Sequence, residues 1–91
     1  MLKCAEILVS GRVQGVGFRA FVVQEAGRLR LTGWTKNLAN GDVQTVAEGS
    51  MDALSEFYTS LQRGPMFAEV MRHRITWSEA RGEFARFDVR W

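Results

Sequence analysis

Ala5-Glu6-Ile7-Leu8-Val9-Ser10-Gly11-Arg12-Val13-Gln14-Gly15-Val16-Gly17-Phe18-Arg19 runs from one regular element into another through a glycine-rich turn. Ala5 to Ser10 is a short apolar run closed by glycine, which predicts a buried strand. Alternation puts Ala5, Ile7 and Val9 on one face and Cys4, Glu6 and Leu8 on the other. Past the turn, Phe18, Phe21, Val22, Ala26 and Leu29 recur at helical spacing. Arg28 and Arg30 near the end of that helix complement its dipole. Gly27 inside it costs about 1 kcal/mol relative to alanine, so close packing is expected there.

Beyond this unit, Leu31 to Leu38 and Asp42 to Glu48 flank Ala39-Asn40-Gly41. Asn-Gly tolerates positive φ at both residues and predicts a β-hairpin, with Val43 and Val46 as its later apolar positions. Ser50 reads as an N-cap with Asp52 in the first turn. Met51, Leu54, Phe57, Tyr58 and Leu61 form the apolar stripe of a second helix, which Gly64-Pro65 ends. Val70 to Trp77 and Phe84 to Trp91 are extended, joined by a polar loop through Arg81-Gly82. The order strand, helix, strand, strand, helix, strand, with a short closing segment, is that of two βαβ halves. It predicts an α+β sandwich: one domain over residues 1–91, an antiparallel sheet covered on one face by two helices.

Composition narrows the chemistry. Of 91 residues, 46% are hydrophobic and 24% charged, and 12 basic against 10 acidic side chains leave +2. That balance is too small to call for nucleic acid or a membrane as partner. One cysteine, Cys4, forms no intrachain disulfide and builds no multi-thiolate metal site. One histidine, His73, excludes two-histidine metal sites and leaves a Ser-His-Asp arrangement dependent on that residue alone. The N-terminal apolar stretch is broken by Lys3 and Glu6, unlike an export signal. No apolar run approaches the ~20 residues of a membrane span. A protein of the reducing cytoplasm is expected.

The glycine-rich turn is the informative stretch. Glycines between a strand and a helix let backbone N–H groups turn inward and approach a ligand. The helix start adds unpaired N–H groups and a positive dipole end, a natural seat for a phosphoryl group. Arg19 in the first turn adds a permanent cation with forked donors. A Walker loop needs Gly-Lys-Ser/Thr, which is lacking. Gly15 to Ala20 fits a dinucleotide fingerprint, but the element order cannot supply a doubly wound sheet. The echo of an RNA-recognition signature at Gly17 to Val22 falls on a helix instead of a strand. Spacing alone leaves open a tight turn of purely structural purpose.

Gly11 to Arg19, ending Val-Gln-Gly-Val-Gly-Phe-Arg, resembles the first signature of the acylphosphatase family. Gly33-Trp34-Thr35-Lys36-Asn37, followed by Gly41-Asp42-Val43 and Gly49, resembles its second. Gly64-Pro65, Ala68, Val70 and the ending Phe87-Asp88-Val89-Arg90-Trp91 extend the likeness over essentially the whole chain. The resemblance implies a ferredoxin-like βαββαβ fold and metal-independent hydrolysis of a small acyl phosphate to a carboxylate and inorganic phosphate. By motif position, it makes Arg19 the phosphate-binding arginine, Asn37 the residue that orients the attacking water, and the backbone of Gly15, Val16, Gly17, Phe18 and Arg19 the phosphate cradle. A non-catalytic phosphate- or RNA-binding module of the same fold is the alternative, and the retention of Asn37 beside Arg19 favours the enzyme.

Two positions depart from the family pattern. Thr35 replaces a small apolar residue such as valine, and Arg30 stands where many members carry glycine. If the backbone at Arg30 has positive φ, the side chain adds about 1 kcal/mol of strain. The remaining candidates have plainer readings: His73 structural or at the surface, Cys4 an inert small hydrophobe, and Trp34 packed on the sheet instead of forming a lid.

Overall fold

A computed structural model of the chain describes residues 2–91. β1 (Leu2–Arg12) extends the apolar run at both ends and pairs antiparallel with both β3 (Val43–Ser50) and β4 (Glu69–Glu79). β2 (Thr32–Asn37) completes the hairpin with β3. The sheet order is β4-β1-β3-β2-β5. The closing segment is a strand, β5 (Phe87–Arg90), running parallel to β2, so the sheet is mixed and not wholly antiparallel. The cause is the connection after β4, which carries the chain across to the opposite edge. Glu48 anchors it there, its carboxylate accepting from the N–H groups of Arg81 at 2.8 Å and Gly82 at 3.0 Å.

Both helices, α1 (Phe18–Arg28) and α2 (Met51–Arg63), cover the face that carries Ala5, Ile7 and Val9. The core joins these to Phe18, Val22 and Ala26 of α1 and Leu54, Phe57 and Leu61 of α2. The sequence stripe of α2 is narrower than predicted. Met51 is 51% exposed, and Tyr58 is only half-buried, its hydroxyl 2.6 Å from His73 Nδ1. On β3, Val43, Thr45 and Ala47 face the core, and Val46 turns away because a spacing of three crosses the pleat. Thr35 is also fully buried, its hydroxyl 2.9 Å from that of Thr45 on the paired strand. The departure from valine is thereby satisfied locally.

Turn chemistry shapes the ends. Ser50 Oγ accepts from the Ala53 N–H at 3.1 Å, and Gly64 at φ 70 closes α2. In the hairpin only Gly41 takes positive φ, at 98, closing a three-residue loop by Gly41 N–H to the Leu38 carbonyl. α1 ends in a Schellman motif, in which Leu31 N–H donates to Ala26 O at 2.9 Å and Arg30 N–H to Gly27 O at 3.2 Å. Arg30 occupies the left-handed position of that motif with φ 58. Gly27 needs no close packing: it is exposed, and a Cβ there would meet nothing.

Candidate active site

The cradle begins where β1 leaves the sheet. Gly11 belongs to β1 itself: it sits at a register shift against β4, where a Cβ would strike the Glu69 carbonyl oxygen. Val13 is buried and pins the loop that follows. Gly15 and Gly17 adopt φ 73 and 78, and Cβ atoms at either would meet only open space. Both glycines are thus required by conformation and not by crowding. Gly17 caps α1 without a side-chain acceptor, and no acidic residue occupies the first turn. The first helical hydrogen bond runs from Phe21 N–H to Gly17 O at 3.1 Å. The amides of the preceding turn therefore keep their hydrogens for a ligand, in the positive field of the helix start.

Arg19 is half-buried and forms none of the ion pairs among the described residues. Its guanidinium carbon lies 4.3 Å from the ring centroid of Trp91. Asn37 ends β2, two residues past buried Thr35, and so looks to the helix side of the sheet. Its Oδ1 is buried and has no hydrogen-bond partner among the described residues. An amide oxygen left in that state costs about 1–3 kcal/mol unless something donates to it.

These groups converge. Gly15, Gly17, Phe18, Arg19 and Asn37 line one cavity of about 300 Å³, together with Val13, Ala20, Val89 and Trp91. Val16, the remaining cradle residue, is not in that lining; its side chain is half-buried against the core. Phe18 lines the cavity as a core residue that is only 2% exposed. Trp34 lies away from the cavity, on the helix-free side under the guanidinium of Arg90 at 4.6 Å. His73 and Cys4 also lie elsewhere, and burial raises the Cys4 thiol pKa. Among the described residues no three His, Cys, Asp or Glu side chains are grouped to hold a metal.

Two further residues belong to this site. Gln14 Nε2 donates to the carbonyls of Leu38 at 2.8 Å and Asp42 at 2.9 Å, tying the cradle loop to the hairpin turn beyond Asn37. Trp91 forms part of the cavity wall while 91% exposed. Neither role has a local signal: Gln14 acts over 24 and 28 residues, and Trp91 meets Arg19 through β5 pairing.

The family model described as Acylphosphatase matches residues 5–89. An acylphosphatase of Moorella thermoacetica is 47% identical over 79 residues, covering 87% of this chain and 85% of the relative. One from Vibrio cholerae is 44% identical, with 96% of each chain covered. The crystal structure of acylphosphatase from Bacillus subtilis superimposes with a TM-score of 0.94 at 41% identity, over 100% of both chains. The chain belongs to the acylphosphatase family.

Proposed function

We propose that Arg19 and the backbone amides of Gly15 to Arg19 bind the phosphoryl group of an acyl phosphate, and that Asn37 orients the water that hydrolyses it. Phosphoryl transfer spreads negative charge over three equatorial oxygens, so positioning and electrostatics supply most of the acceleration. Amides at a helix start and an arginine with no carboxylate partner among the described residues are the donors that such charge needs. The water oxygen bonds to phosphorus as the bond to the acyl oxygen breaks, and that electron pair leaves on the carboxylate. The water's protons pass to the phosphate product and solvent. A carboxylate with a pKa near ~4 is a good leaving group, so no general acid is required.

The observation that carries this reading is Asn37 Oδ1: buried, without a partner, in the same cavity as Arg19. It accepts a hydrogen from water and holds the lone pair toward phosphorus. A module that only grips phosphate has no use for that acceptor. The reading takes a small-molecule acyl phosphate as partner, with no metal or cofactor and no nucleic acid, and a single copy of the chain acting in the reducing cytoplasm.

Hydrolysis of benzoyl phosphate in EDTA tests it. Asn37→Ala lowers kcat by about 10²-fold or more with little change in phosphate inhibition, the scale of one positioned hydrogen-bonding group. Arg19→Ala weakens both phosphate inhibition and kcat. Unchanged kcat in Asn37→Ala refutes its role, and phosphate binding without turnover in the wild type favours the binding module.

A further inference from the structure

We infer that Trp91 is the wall of an acyl subsite, and that the cavity selects acyl phosphates whose acyl group is a flat, apolar ring. This rests on the phosphoryl group lying in the cradle. Alternation along β5 half-buries both Phe87, whose ring centroid lies 6.1 Å from that of Phe57, and Val89. The same alternation carries Trp91 past the parallel partner β2, so that its indole overhangs Arg19. One part of the ring lies against the guanidinium at 4.3 Å, yet the residue remains 91% exposed. A large aromatic side chain with so little of its surface covered contributes little to the core. It is placed to cover something that enters the cavity.

The geometry of the reaction says what enters. Attacking and leaving oxygens lie roughly in line across phosphorus, so the acyl group emerges on the side away from the water at Asn37. Of the cavity's lining, Val13, Gly15, Gly17, Phe18 and Arg19 come from the cradle loop and the start of α1. Apart from Asn37 on the water side, the residues left are Ala20, Val89 and Trp91, all apolar. A cavity of about 300 Å³ has room for an organic group beside a phosphoryl group. An aromatic acyl group stacked on the indole is covered by it, and a methyl group is too small to gain much from that contact.

The competing role for Trp91 is to position Arg19 alone, and the two roles separate on substrate choice. kcat/KM is measured for benzoyl phosphate and acetyl phosphate, with inhibition by inorganic phosphate, in wild type, Trp91→Ala and Trp91→Phe. Trp91→Ala should lower kcat/KM for benzoyl phosphate about three- to tenfold more than for acetyl phosphate, the scale of one aromatic contact. Phosphate inhibition should stay within about twofold, since truncating an exposed ring leaves the cradle intact. Trp91→Phe should keep most of the preference. An equal loss on both substrates, or a matching loss of phosphate inhibition, overturns the subsite and leaves Trp91 a positioning residue for Arg19. Failure of the cradle reading shows differently: Arg19→Ala would then retain phosphate inhibition whatever Trp91 does.

Discussion

Arg30→Gly is predicted to raise stability. Arg30 holds φ 58 in the Schellman motif that ends α1, a conformation costing an L-residue about 1–2 kcal/mol. Its side chain is exposed and makes no hydrogen bond or ion pair among the described residues, so truncation loses no contact that offsets the strain. Glycine gives back part of the gain, about 0.4–1 kcal/mol, through the extra freedom of its unfolded chain. The net is about 0.5–1 kcal/mol. For a domain of this size 1 kcal/mol moves Tm by roughly 5 °C, so a rise of about 3–5 °C is expected. Thermal and urea unfolding of wild type, Arg30→Gly and Arg30→Ala measure it. Alanine keeps its Cβ in the left-handed region and should gain almost nothing. If Arg30→Gly melts no higher than Arg30→Ala, left-handed strain is not what Arg30 costs this fold. Activity should be unchanged, because the substitution lies at the far end of α1 from the cradle.

Other outcomes follow from the same contacts. Gln14→Ala removes both bonds between the cradle loop and the hairpin, and should lower kcat/KM on benzoyl phosphate about tenfold or more by loosening Arg19 relative to Asn37. Stability should fall by only about 1–2 kcal/mol, which urea denaturation checks. Thr35→Val leaves the buried Thr45 hydroxyl without its partner and should cost about 1–2 kcal/mol, much of it recovered in the double variant with Thr45→Val. Arg28, donating to Glu25 at 2.8 Å, holds the Glu25 carboxyl below its usual pKa. A depressed carboxyl stabilises the fold above its unfolded pKa and loses that contribution as pH falls through the folded value. Glu25→Gln should therefore lower Tm at pH 7, with the difference from wild type closing below about pH 4.

Much of the site was legible because it is written in local codes. Gly15, Gly17 and Arg19 follow one another where a strand becomes a helix, and the backbone freedom and charge that they supply do not depend on the rest of the chain. Asn37 could be placed beside them only by resemblance, since no spacing rule links a hairpin strand to a helix start. The structure supplies the link through the β1–β3–β2 pairing and the Gln14 bonds. Gly27 and Tyr58 show the opposite limit. Composition and helical spacing suggested close packing for one and burial for the other, yet helix rotation leaves Gly27 open and turns Tyr58 toward His73.

Sequence alone determined the element order, the helix caps at Ser50 and Gly64, and the conformationally demanding turn before Arg19. Those are set by side-chain alternation, hydrogen-bonding groups and φ preferences within a few residues. Only the tertiary structure decided that β5 runs parallel at the edge of β2, that Asn37 Oδ1 is buried without a partner among the described residues, and that Trp91 lies against the guanidinium of Arg19. Pairing between distant strands sets which side chains share a cavity, and no local preference carries that information.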